Sequence, residues 1–308
     1  MNTPMHPDIV DQYDILDFLD EWMISAPGEF NKSWIIKELG WQNAPAEYIA
    51  KYNQWITHWL ELKVKGGMIQ RVGDKRGWYR YADGDLEEMD IINASGEPVD
   101  IWLPLNLSDY VRLFPGNISV FAGSKDAGKS TFLLNIAKEN RHKEWDIHYY
   151  SSEMGSHEMK TRLELWPEMT AENWYKFENF HCYERAGRFE DVIPSGPDKL
   201  ILIDFLECHG DFFKMGGMMK RIHDKLDGAI CIIAIQKNKG QEFGLGGQRS
   251  VEVSRLYVGM DFGKAHIVSA KNFRDPARNP RGFDCRYKIH NGYNIEMVDT
   301  WHQGEDEE

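Results

Sequence analysis

A chain of 308 residues has room for about two domains, and its 42% hydrophobic and 28% charged content is ordinary for a soluble globular protein. The net charge of −13 argues against a surface that coats nucleic acid non-specifically, but leaves room for a local basic groove or pore. Cys182, Cys208, Cys231 and Cys285 show no paired spacing, the start MNTPMHPDIVDQYD is no signal peptide, and the longest apolar run, AICIIAI, is too short to span a bilayer, so a reduced, cytoplasmic protein with no membrane segment is expected.

Residues 1–85 read as one small domain. Ile9, Tyr13, Ile15, Leu16, Phe18, Leu19 and Trp22 recur at roughly helical spacing. Asn31, Lys32 and Ser33 open a short second helix that Gly40 ends. A third runs from about Ala46 to Leu62, with Tyr48, Tyr52, Trp55, Ile56, Trp59 and Leu60 as its apolar face. In MIQRVGDKRGWYRYA (68–82), two β-rich halves flank a glycine-bounded turn, which predicts a hairpin. Three helices followed by a hairpin is the pattern of a winged helix, an α+β unit.

Residues 86–107 read as a linker, with Gly96, Pro98 and Pro104 interrupting any regular element. Residues 108–300 alternate strand and helix. Apolar runs separated by helical segments predict an α/β fold with a mostly parallel sheet covered on both faces. The end, 301–308, closes on Gly-Glu-Asp-Glu-Glu, an acidic tail expected to be disordered.

Gly123-Ser124-Lys125-Asp126-Ala127-Gly128-Lys129-Ser130, followed by Thr131, matches G-x-x-x-x-G-K-[ST] between a predicted strand and a predicted helix. That pattern binds phosphate for physical reasons. The glycines let the backbone curl its N–H groups toward an anion, and the helix N-terminus adds positive partial charge. Lys129 would reach the terminal phosphates and the Ser130 hydroxyl would coordinate Mg²⁺, so ATP and Mg²⁺ are the expected cofactors. Hydrolysis also needs an acid for the metal and a group to orient water. Asp204 ends the buried run LILID and fits the first role; the competing reading is an Asp that caps the next turn. Glu153, just after the strand HYYSS, fits the second; otherwise it is a surface loop residue.

The order of these segments resembles the RecA-like C-terminal ATPase domain of DnaB-type replicative helicases. The likeness covers about 105–295. YYSSEMGSHEMKTRL (149–163), GKSTFLLNIA and LILIDFLE are similar to that family's motifs, and IIAIQKNKG resembles the strand that ends in a sensor glutamine, here Gln236. AHIVSAKNFRDPARNPRG (265–282) resembles the segment whose Lys and Arg reach a neighbouring subunit's ATP site. The family spaces these two apart; here Lys271 and Arg274 are three apart and Arg278 is a third candidate. The N-terminal domain does not resemble that of the helicases. The resemblance implies an ATP hydrolase acting on DNA, a translocase or helicase of a phage or mobile element, working in replication or recombination as a ring or filament.

The segment 237–250 corresponds to the loop that lines the DNA channel in such assemblies. Its four glycines predict mobility, and Lys237, Lys239 and Arg249 are candidate contacts to single-stranded DNA. Lys75 and Arg76 on the wing are candidate phosphate contacts. Over 1–85, however, nine Lys and Arg face thirteen Asp and Glu, a balance that also suits a protein partner. The alternative function is therefore an ATP-gated binding module, such as a mediator or loader, with slow hydrolysis and no unwinding. His181-Cys182 and Cys208-His209 lack zinc-ligand spacing and read as packing residues.

Overall fold

Apolar runs of six or seven residues bounded by helices make strands buried on both faces, and the large unit is built around four of them. The computed structural model describes residues 16, 19–20, 23, 28–38, 40–73, 75–82, 88–176, 179–207 and 214–304. The expected first helix falls mostly outside these residues, as do Asp74, Cys208, His209 and the last four residues of the acidic tail. The chain forms two compact units, Met1–Ala94 and Ser95–Glu308. No helix among the described residues is long and apolar enough to cross a membrane.

In the smaller unit, strand β1 (Glu29–Asn31) is followed by helices α1 (Lys32–Glu38) and α2 (Ala46–Lys65) and by strands β2 (Ile69–Arg71) and β3 (Trp78–Tyr81). The strands form an antiparallel sheet in the order β1-β3-β2. Asn31 starts α1 by accepting the Trp34 N–H on its side chain at 2.8 Å. α2 buries Tyr52, Trp55, Ile56, Trp59 and Leu60, a stripe at helical spacing. These aromatics are core: Tyr52 stacks on Trp41 at 4.1 Å between centroids. Trp59 donates its indole N–H to Asp20 at 2.6 Å.

In the larger unit, β4 (Ile118–Gly123), β5 (Asp146–Ser151), β6 (Phe180–Glu184), β7 (Lys199–Asp204) and β8 (Ile230–Gln236) alternate with helices α3 (Lys129–Asn140), α4 (Ser156–Leu163), α5 (Ala171–Tyr175) and α6 (Lys214–Lys225). They are followed by β9 (Ser254–Asp261), β10 (Lys264–Ala270), β11 (Phe283–His290), β12 (Asn294–Met297) and β13 (His302–Gln303). Among the described residues these make a ten-stranded sheet, ordered β12-β11-β10-β9-β4-β8-β7-β5-β6 with β13 on β11. Strands β9-β4-β8-β7-β5-β6 run parallel, and β9 through β12 are antiparallel. The short strand β6 was not anticipated, because FHCYE carries too little apolar run to stand out.

The segment expected to be linker divides. Residues 95–107 belong to the large unit, where Ile101, Leu103, Leu105 and Leu107 enter the core. Asn140, buried at the end of α3, holds this stretch by accepting the Trp102 N–H at 2.8 Å and donating to its carbonyl at 2.9 Å. An irregular segment can be buried in this way because its backbone polar groups find partners.

Candidate nucleotide site

The parallel strands end together at Gly123, Ser151, Asp204 and Gln236, and ligands in open α/β sheets bind outside such carboxyl ends. Insertion of β8 between β4 and β7 sets Gln236 directly opposite Gly123. Asp204 lies opposite Ser151 on β5. The strand order therefore gathers residues separated by more than a hundred positions.

The loop 123–128 turns through Asp126 and Gly128, both at positive φ (62° and 88°). A β-carbon at Gly128 would fall 2.2 Å from Ile289 Cδ1, so glycine is required by both conformation and space. α3 starts here with no side-chain cap. Its first-turn N–H groups have no intrahelical acceptor and are free for an anion. Lys129 Nζ folds back onto the loop, donating to the Gly123 and Ser124 carbonyls at 3.2 Å each and to Gln236 Oε1 at 3.0 Å. Burial pulls the Lys129 ammonium below its ordinary pKa, against the opposing pull of Asp204, Glu153 and Asp126.

Asp204 is 3% exposed. Burial raises its carboxyl above the ordinary value, opposed by hydrogen bonds from Tyr149 and Ser130 and by the charges of Lys129 and Arg162. The two serines of HYYSS lock the neighbouring turn. Ser151 Oγ accepts the Met154 N–H at 2.8 Å, Ser152 N–H donates to the Asp204 carbonyl at 2.8 Å, and Ser152 Oγ accepts the Phe205 N–H at 3.1 Å. Glu153 sits exposed at the apex of that turn.

These groups line one cleft of about 610 Å³. Lys125 through Thr131 form its floor, Glu153, Arg162, Asp204 and Phe205 one wall, and Phe262 with residues 287–290 the other. Gly123, Ser124 and Gln236 do not line it and act from beneath, through Lys129. The Thr131 hydroxyl is turned toward the β11–β12 connection, donating to the Gly292 carbonyl at 3.0 Å. Phe262 is 85% exposed at the cleft mouth, and such a ring beside an anion-binding loop suits a ligand with a planar apolar part next to its phosphates.

Sequence reasoning missed the wall made by β11. Tyr287 places its hydroxyl 2.6 Å from the Ala127 carbonyl, and Asn135 of α3 donates to the Tyr293 carbonyl at 2.8 Å. Arg162 lay within a quoted motif but was given no role. The only signal for the wall was the alternation in CRYKIH, which marks a strand without saying what it touches.

Lys271, Arg274 and Arg278 do not line the cleft. Lys271 Nζ donates to the Glu252 carbonyl at 2.8 Å, Arg274 Nε to the Ser108 carbonyl at 3.0 Å, and Arg278 lies 5.0 Å from the Phe283 ring centroid. Because β10 runs antiparallel to β9, its end at Ala270 lies level with the start of β4 rather than with Gly123. Ala270 stands opposite Leu256, which stands opposite Ser119, so it falls four residues short of Gly123, roughly 13 Å along the sheet at about 3.3 Å per residue.

The loop after β8 is also corrected. Lys237 is 3% exposed and pairs with Asp261 at 2.7 Å while donating to the Gln241 carbonyl at 2.8 Å, so it is not free to meet a DNA phosphate. Gly244 serves close packing rather than mobility: a β-carbon there would lie 2.9 Å from Ile235 and 3.2 Å from Ala122. Its N–H donates to Tyr257 Oη at 2.9 Å. Lys239 and Arg249 remain exposed. In the smaller unit Arg76 is exposed, whereas Lys75 pairs with Glu29 at 2.5 Å.

The residues present fit a magnesium nucleotide. The uncapped helix start, the Lys129 ammonium, the Ser130 hydroxyl bonded to Asp204 and a second carboxylate at Glu153 make the donor set that a metal-bound polyphosphate needs.

No family model and no curated protein matches the sequence. Among solved structures, the chain is similar to a KaiC-like protein, PH0186, from the hyperthermophilic archaeon Pyrococcus horikoshii OT3, with a TM-score of 0.51 and 13% identity over 66% of this chain and 99% of that one. It also matches the ATPase domain of G40P with a TM-score of 0.47 and 14% identity, over 68% of this chain and 95% of that chain. Together with the strand order and the loop geometry, the first likeness shows that the large unit has the α/β fold of the RecA-like ATPases.

Proposed function

We propose that this chain is a Mg²⁺-dependent ATPase acting on DNA, with its ATP site completed by a neighbouring copy. The observation that carries the reading is the convergence of Lys129, Ser130, Asp204 and Glu153 on one cleft. Bound Mg²⁺ would neutralise phosphate charge as a Lewis acid, held through Ser130 and Asp204. Glu153 accepts a proton from an attacking water, and Arg162 faces the same space. When phosphate engages Lys129, the bond to Gln236 is given up. Gln236 then repositions and passes the change to residues 237–250, whose exposed Lys239 and Arg249 meet single-stranded DNA.

The distance of Lys271, Arg274 and Arg278 from their own cleft supports a role at another copy's cleft, in a ring or filament. Lys271→Ala and Arg274→Ala proteins should each be mixed with Lys129→Ala protein. Recovery of ATP turnover in the mixture is the expected result; a mixture no more active than its components sinks the shared site. The smaller unit, read as a winged helix with Arg76 exposed, docks DNA or a partner protein. A forked-duplex assay separates motor from gate: strand displacement supports the translocase, and nucleotide-dependent assembly without displacement supports the ATP-gated module.

A further inference from the structure

A second cluster of ligand-type side chains lies at the other end of the strands. Residues 146, 148 and 150 alternate onto one face of β5. On the edge strand β6, His181 stands opposite His148 and Tyr183 opposite Tyr150. The two imidazoles stack at 4.8 Å between centroids. His148 Nε2 lies 3.1 Å from Asp146 Oδ2, and His181 Nε2 lies 3.0 Å from Asp146 Oδ1. All three donor atoms fall within 4.8 Å of one another.

We infer that Asp146, His148 and His181 form a site for a divalent first-row transition-metal ion such as Zn²⁺, distinct from the Mg²⁺ of the nucleotide. Two imidazoles and one carboxylate suit Zn²⁺, Co²⁺ or Ni²⁺, whereas Mg²⁺ and Ca²⁺ take oxygen ligands. Three protein ligands leave one tetrahedral position for water. The second ring nitrogen of His148 is held 3.3 Å from the Tyr183 hydroxyl, a contact that orients the ring and leaves Nε2 to ligate. Lys199 competes for the carboxylate, with Nζ 3.0 Å from Asp146, but it already has a second partner in Asp198 at 2.7 Å. A metal ion can therefore displace the ammonium without stranding it. The ligands sit on adjacent strands, so no C-x-x-H spacing announces them.

Titration of metal-free, full-length protein with Zn²⁺ in a calorimeter, without nucleotide, tests the site. One saturable equivalent is expected. His148→Ala or His181→Ala should weaken binding by at least about 10–100-fold, and Lys199→Ala should tighten it. His181 is only partly buried, with 40% of its side chain accessible, so its replacement reports ligand loss in a chain whose folding is checked by circular dichroism. Lys129→Ala should leave the stoichiometry unchanged, and this separates the site from the nucleotide cleft. Co²⁺ should give visible bands without thiolate charge transfer. Absence of saturable binding, binding that survives the double His148→Ala, His181→Ala change, or a cobalt–thiolate signal overturns the assignment.

Discussion

Replacing Glu153 by Gln is expected to leave ATP binding intact and slow turnover by about 10²–10⁴-fold, the usual contribution of a positioned general base. Glutamine keeps the size of the side chain and removes only the basic oxygen. The turn that carries it is held by Ser151 and Ser152 through backbone groups, not by Glu153 itself. The residue is exposed, so stability should change by no more than about 0.5 kcal/mol. Single-turnover hydrolysis alongside equilibrium nucleotide binding checks this. Unchanged turnover would remove Glu153 from the chemistry, and lost binding would make it a ligand contact instead.

Asp204→Asn should separate stability from activity in the opposite sense. Burial raises the Asp204 carboxyl above its ordinary pKa, so the folded chain holds a proton there more tightly than the unfolded chain. At neutral pH the ionised buried carboxylate therefore costs stability, and that cost fades as pH falls through the raised value. Asparagine keeps an oxygen for the Tyr149 hydroxyl and carries no charge. In EDTA the variant should melt higher than the parent at pH 7, with the gap closing on acidification. With Mg²⁺ and ATP its turnover should fall about 10–100-fold, the usual cost of losing a group that orients a metal ligand. A gap that is absent at pH 7 or widens toward acid would contradict the burial account, and undiminished turnover would contradict the metal role.

Much of the site was legible because its parts are linear. The loop 123–131 and LILID each declare a strand end and a candidate phosphate or metal group within a few residues, and the paired serines before Glu153 mark the turn that presents it. What could not be read were contacts between distant segments. Tyr287 reaches Ala127 across 160 positions, and nothing in either segment names the other. Lys237 looked solvated because it opens a glycine-rich stretch, yet Asp261, brought alongside by β9, draws it inward. The stretch at 95–107 looked like linker because its prolines break regular structure. Burial depended instead on Asn140, whose side chain satisfies the backbone at Trp102.

The most direct test of the central claim is steady-state ATP turnover by the full-length protein with Mg²⁺, compared with the Lys129→Ala variant and repeated with single-stranded DNA. The expected result is Mg²⁺-dependent hydrolysis that DNA stimulates and that Lys129→Ala abolishes. Hydrolysis that persists in the folded Lys129→Ala protein, or no nucleotide binding and no turnover by the parent chain, would contradict an ATPase site built on Gly123–Thr131.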